Sequence, residues 1–99
     1  MNEPKIVLCK EAIGQFCKKH YIVALALFGS VLTTYFQPSS DVDFLVKFDK
    51  KNIPTLFDLV TMESELSHII GYKADLRTSN DLSPYFRDEV VSHAKIIYG

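Results

Sequence analysis

The chain has 99 residues, 47% hydrophobic and 23% charged, with 11 Lys plus Arg against 12 Asp plus Glu for a formal charge of −1. A chain of this length buries roughly 60–68% of its unfolded surface, so one domain over residues 1–99 is expected, without a separate substrate-binding lobe. The apolar content excludes a disordered chain, and the balanced charge excludes a histone-like grip on long duplex nucleic acid.

Asn2 and Pro4 are helix-start residues, and Ile6, Cys9, Ile13, Phe16 and Cys17 recur at helical spacing. They predict a first helix over about residues 4–19. On one helix face Cys9 and Cys17 would stand roughly 12 Å apart, too far for a disulfide. Both read as small core hydrophobes of a reduced, cytoplasmic protein. No apolar run reaches the ~18 residues of a membrane span, and the N-terminus lacks the apolar stretch of a signal peptide.

Tyr21 to Phe28 is continuously apolar, the pattern of a strand covered on both faces. Gly29-Ser30 breaks it. Val31 to Phe36 suits a short helix, and Gln37 to Ser40 a loop. From Asp41 to Phe48, Val42, Phe44 and Val46 alternate with Asp43, Leu45 and Lys47, a second strand. Pro54 suits a helix's first turn, and the apolar positions from Leu56 to Ile70 mark a helix of about sixteen residues ending at Gly71. Tyr72 to Arg77 is a third strand. Ser83-Pro84 reads as the start of a last helix over 84–94, with Phe86, Val90 and Val91 inward, and Lys95 to Tyr98 as a final strand. The sum is a small α/β (α+β) domain, a mixed sheet of about four strands with helices.

Three carboxylates sit at strand ends. Asp41 and Asp43, at i and i+2, share a strand face. Two negative charges held together repel and call for a cation, and oxygen-only ligands favour Mg²⁺ or Mn²⁺ over zinc. Asp75 joins them if the third strand pairs beside the second. Gly29-Ser30 supplies a turn in which glycine lets the backbone approach an anion, while the hydroxyl, the following amides and a helix N-terminus favour phosphate. Ten residues separate Ser30 from Asp41, enough to bring the chain back to the sheet. Carboxylates facing a phosphate cradle suit a nucleoside triphosphate with its metal. Each piece alone is also ordinary strand-end and turn chemistry. His20, His68 and His93 are dispersed, without ligand spacing. Tyr72, Tyr85, Phe86 and Tyr98 read as packing residues, with stacking on a base as the alternative use.

Phe28-Gly29-Ser30 followed by Pro38 through Val46 resembles the G-S-x(10)-D-x-D signature of the polymerase-β-like nucleotidyltransferase superfamily. Ala74-Asp75-Leu76, Thr78, Leu82-Ser83-Pro84 and Ile97-Tyr98 are similar to the minimal nucleotidyltransferases of prokaryotes, the MNT type. The resemblance implies that fold, with Gly29 and Ser30 on the triphosphate and two Mg²⁺ or Mn²⁺ ions on Asp41, Asp43 and Asp75, the last also acting as base. It implies transfer of AMP from ATP to a protein, with a HEPN-domain toxin as partner and this chain as its antitoxin. Two alternatives stay open: a binding module that neutralises such a partner by occlusion, and a nucleotidyltransferase acting on RNA or a small molecule. The sequence departs from the family in one respect. Arginines commonly follow the Gly-Ser, and here Val31 and Thr33 stand in their places, with Lys47 and Arg77 the nearest cations in the strand reading.

Overall fold

A computed structural model describes residues 6–99. Its elements are α1 (Lys10–Lys19), β1 (Ile22–Phe28), a 3₁₀ turn (Gly29–Leu32), β2 (Val42–Phe48), α2 (Leu56–Ile70), β3 (Ala74–Arg77), a second 3₁₀ turn (Ser79–Asp81), α3 (Arg87–His93) and β4 (Lys95–Tyr98). The strands form one mixed sheet in the order β3-β2-β1-β4. β1 runs antiparallel to both β2 and β4, and β2 runs parallel to β3.

The alternation in β2 decides which face is covered. Val42, Phe44, Val46 and Phe48 are buried, and they join Leu25 and Leu27 of β1, Ile13, Phe16 and Cys17 of α1, and Met62, Leu66 and Ile70 of α2 in one core. A bulge between Ile22 and Ala24 resets the side-chain parity of β1, so Ile22 reaches the same face as Leu25 and Leu27. The expectation of a strand covered on both faces holds over Leu25–Leu27, where Ala26 is buried as well, and fails at the exposed Val23. One face of β1 is packed under α1 and α2; the other carries small residues, Ala24 and Ala26, beside Leu45 of β2. α3 stands off from that second face, leaving a cavity of about 660 Å³ between Ala26, Leu45, Val91 and Ile96.

Three helix starts differ from the expected ones. α1 begins at Lys10, after Cys9 and without a side-chain cap. Ile6 is buried but lies ahead of the helix, and Pro4 falls outside the described residues. Cys9 is exposed rather than in the core, whereas Cys17 is buried, and burial pushes its thiol up to about 11. α2 starts after Thr55, not at Pro54: Thr55 and Asp58 form a reciprocal capping box. Gly71 closes α2 in the left-handed conformation, as its position suggested. α3 starts at Arg87. Residues 83–86 form a turn, with the Phe86 and Arg87 amides donating to the Ser83 carbonyl at 3.0 and 2.9 Å. None of the residues of α3 is buried. No helix among the described residues is long and apolar enough to cross a membrane.

Candidate active site

Asp43 and Asp75 are register partners across the parallel β2–β3 pair. Their neighbours Val42, Phe44, Ala74 and Leu76 are buried in the core, so both carboxylates emerge on the face away from α1 and α2. β3 is the sheet edge on this side, and α2 satisfies it. The Ala74 amide donates to Ser67 Oγ and the Leu76 amide to Glu63 Oε2, each at 2.8 Å. Both neighbours of Asp75 are thereby held by side chains of α2. Sequence reading missed this role; its trace there is an i, i+4 polar pair, Glu63 and Ser67, on the helix that precedes the strand.

Gly29 lies against Asp43 from the other side. Phe28, its predecessor, is the register partner of Asp43 across β1–β2. Gly29 has φ +79°, and a Cβ there would stand 2.5 Å from Asp43 Oδ2. Glycine is thus required twice, for the left-handed backbone and for the close approach. The expected helix over Val31–Phe36 is instead the single turn Gly29–Leu32. Thr33 ends it: its amide and its Oγ1 both donate to the Ser30 carbonyl, at 2.9 and 2.8 Å, and its Oγ1 accepts from the Tyr35 amide at 3.1 Å. Such local bonds compete with helix continuation. A four-residue turn has no macrodipole of consequence, so a phosphate here would meet the turn's amides and the Ser30 hydroxyl.

Asp41 stands exposed just before β2. Burial first, then the Asp75 charge, raises the Asp43 carboxyl above its ordinary value, with a smaller push from Asp41; Arg77 works against them. Arg77 is two residues beyond Asp75 and opposite Leu45, on the same face, and its Nε donates to Asp75 Oδ2 at 3.1 Å. Lys47 lies on that face farther along β2, opposite Ala24. Of the two cations named from sequence, Arg77 is the one at the carboxylates. Asp43 and Asp75 thus meet, with Gly29-Ser30 beside them and Asp41 at the rim. Among the described residues no group of three His, Cys, Asp or Glu is gathered as a ready-made metal cage. The donor chemistry nevertheless suits a hard divalent ion, since all three acids offer oxygen and Asp43 is a half-buried carboxylate with an acidic neighbour.

A mixed sheet with one helix-covered face, and acids opposed beside a Gly-Ser turn on the other, defines the nucleotidyltransferase class. The chain belongs to the Polymerase beta, Nucleotidyltransferase family, which residues 11–99 match. It is 32% identical over 86% of its length to a protein of Methanocaldococcus jannaschii provisionally named a protein adenylyltransferase, covering 89% of that protein. A second protein of that organism, named in the same way, is 32% identical, with 73% of each chain covered. Among solved structures, a protein provisionally described as a minimal nucleotidyltransferase aligns with TM-score 0.69 and 30% identity, over 86% of this chain and 85% of the other. A toxin–antitoxin structure with AMP-PNP shares the fold at TM-score 0.73 and 19% identity, over 93% of this chain and 74% of that one.

Proposed function

We propose that the chain transfers AMP from ATP to a protein acceptor, with a HEPN-domain toxin as the acceptor that it silences. The observation that carries the reading is the opposition of Asp43 and Asp75 across β2–β3 with Gly29 against Asp43. The relatives' provisional names and the toxin–antitoxin neighbours agree with it. Asp41, Asp43 and Asp75 would hold two Mg²⁺ or Mn²⁺ ions. Bound there, such ions polarise the phosphoryl group and neutralise the leaving pyrophosphate. Gly29 and Ser30 hold the triphosphate by amides and hydroxyl. Asp75 accepts the proton of the acceptor hydroxyl as its oxygen bonds the α-phosphorus and the bond to pyrophosphate breaks. Arg77, already at the site, offers phosphate a cation that Val31 and Thr33 do not.

A second reading, neutralisation by occlusion, is favoured by Val31 and Thr33 in the arginine positions and by the exposed Phe86 and Val91 of the α3 region. Mass spectrometry of a HEPN-domain partner, encoded beside this chain and co-expressed with it, separates the two. Added AMP with the wild type and none with Asp43→Asn, both complexes forming, is the expected result. A partner silenced by the Asp43→Asn protein, unmodified, refutes transfer in favour of occlusion.

A further inference from the structure

The open cavity of about 660 Å³ on the sheet face opposite α1 and α2 starts where the acids end. Asp43 and Asp75 are register partners, Leu45 and Arg77 are the next pair on the same face, and the cavity begins there, between Leu45 and Thr78. Its floor is Ala24, Ala26 and Leu45, and Val91 and Ile96, 47% and 67% exposed, border it on the side of α3 and β4. Lys47 and Lys50 stand at its far end. We propose that this groove is the docking surface for the acceptor, and that it takes an amphipathic helical segment with apolar residues toward the sheet and acidic residues at the two lysines. The inference rests on the nucleotidyl-transfer reading above and gives the acceptor a chemical description which that reading lacks.

The backbone decides the shape of the occupant. The floor belongs to β1 and β2, and each of these has a sheet partner on both sides, so no strand edge is free there to pair with an extended peptide. Side chains alone must hold the occupant, which is how an amphipathic helix seats in an apolar groove. Ala24 and Ala26 leave room for its apolar side chains, and α3, with no buried residue, covers little of this face. The rim decides the charge. Lys47 and Lys50 are exposed, and among the described residues neither is in an ion pair. No acid lines the cavity. Of the acids beside it in sequence, Asp49 accepts from the Lys51 amide at 3.1 Å and Asp81 from the Thr78 amide at 3.0 Å, each engaged by its own turn. The far end is therefore a basic spot that complements carboxylates. Strand geometry then sets the spacing. Lys47 lies four residues beyond Asp43 along β2, about 13 Å. Two helical turns cover about 11–12 Å, and side-chain reach makes up the rest. The acids of the segment thus fall seven or eight residues from the hydroxyl that receives AMP, with apolar residues three and four positions from that hydroxyl, over Ala26 and Leu45.

The test uses two fluorescent helix-forming peptides, each with one tyrosine and with leucines three and four positions beyond it. One carries glutamates at the seventh and eighth positions, the other lysines. Anisotropy titrations at low ionic strength should show the wild type binding the glutamate peptide at least about fivefold more tightly than the lysine peptide. The double variant Lys47→Glu, Lys50→Glu should reverse that order, and Ile96→Glu should weaken the glutamate peptide. All three residues are exposed, so the variants keep the fold, and circular dichroism checks this. With Mg²⁺ and ATP, mass spectrometry should find AMP on the tyrosine of the glutamate peptide. Equal binding of the two peptides by the wild type, binding of neither, or an order that the double variant leaves unchanged overturns the docking surface. So does a wild type that sediments as a dimer and becomes monomeric with Ile96→Glu, since a second copy then fills the groove. With peptide binding as expected, absence of AMP on the tyrosine counts against nucleotidyl transfer and leaves the docking surface standing.

Discussion

Replacing Asp43 by Asn should make the metal-free protein more stable, not less. Asp43 and Asp75 stand on adjacent strands in register, which sets their backbones about 5 Å apart. Two unit charges at that separation repel by about 3 kcal/mol at an effective dielectric of 20 and by about 0.8 kcal/mol in bulk water. The face is open to solvent, and Arg77 partly neutralises Asp75. The lower end therefore applies, about 1 kcal/mol, worth a melting-temperature rise of roughly 4–8 °C in a domain of this size. Asn keeps the shape of the side chain and removes the charge. The pH dependence has a definite sign. Burial and the neighbouring acids raise the Asp43 carboxyl, so its protonated form is favoured in the folded state and its ionised form costs stability. That cost is absent below the ordinary carboxylate value and is fully present above the raised one. The gap between variant and wild type should be widest near neutral pH and close as pH falls through the raised value. Thermal unfolding followed by circular dichroism from pH 4 to 8, with chelator and then with millimolar Mg²⁺, is the assay. Mg²⁺ should raise the wild-type melting temperature and leave the variant unmoved, since a ligand of the folded state stabilises by mass action. An Asp43→Asn protein that melts lower than the wild type at pH 7 without metal would refute the argument from crowded charge.

Gly29→Ala should cost about 1 kcal/mol through its left-handed backbone, lowering the melting temperature by a few degrees. Its added Cβ displaces the Asp43 carboxylate, so calorimetry should lose Mg²⁺-dependent ATP binding in a protein that still folds. Arg77→Ala should tighten the binding of Mg²⁺ alone, because the guanidinium and a divalent ion compete for the Asp75 carboxylate, and should weaken ATP; an unchanged Mg²⁺ titration rejects that competition.

The core strands and the pairing of acids were legible because they rest on period-two alternation. Val42, Phe44 and Val46 announce one buried face, and the same count places Asp43 on the other. The parallel pairing that brings Asp75 opposite Asp43 is a tertiary fact, and from sequence it could be stated as a condition alone. Ends of elements were less legible. Asn2 and Pro4 are good helix-start residues, yet Ile6 is buried ahead of a helix that begins at Lys10, since a single apolar residue suits an extended lead-in as well as a first turn. Pro54 drew the start of α2 two residues early, although Thr55-x-x-Asp58 is the box that caps it. Phe86 and Val91 have the spacing of an inner helix face, but α3 is seven residues long and borders a cavity rather than a core. Hydrophobic spacing marks a face that prefers cover; it does not say whether protein or ligand supplies it.

The two faces of the sheet divide stability from chemistry. On one face Phe16 of α1 and Met62 and Leu66 of α2 join Leu25, Leu27 and Phe44 of the sheet, all at or below 2% exposure. That packing carries the hydrophobic stabilisation of the domain. The opposite face places small Ala24 and Ala26 in β1 and charged Asp43, Lys47, Asp75 and Arg77 in the strands beside it. A second layer of helices there would strengthen the core and would also bury those charges, at a cost of several kcal/mol for each one left unpaired. Leaving the face open avoids that cost and keeps the acids within reach of a phosphate. It also makes the edge strand β3 vulnerable, since β3 has a sheet partner on one side only. Glu63 and Ser67 answer this from below by taking the outward amides of Ala74 and Leu76, which fixes the backbone on both sides of Asp75 without touching its carboxylate. The site is therefore rigid where the strands hold it and adjustable at Asp41 and Arg77, the two exposed charges beside the Asp43–Asp75 pair.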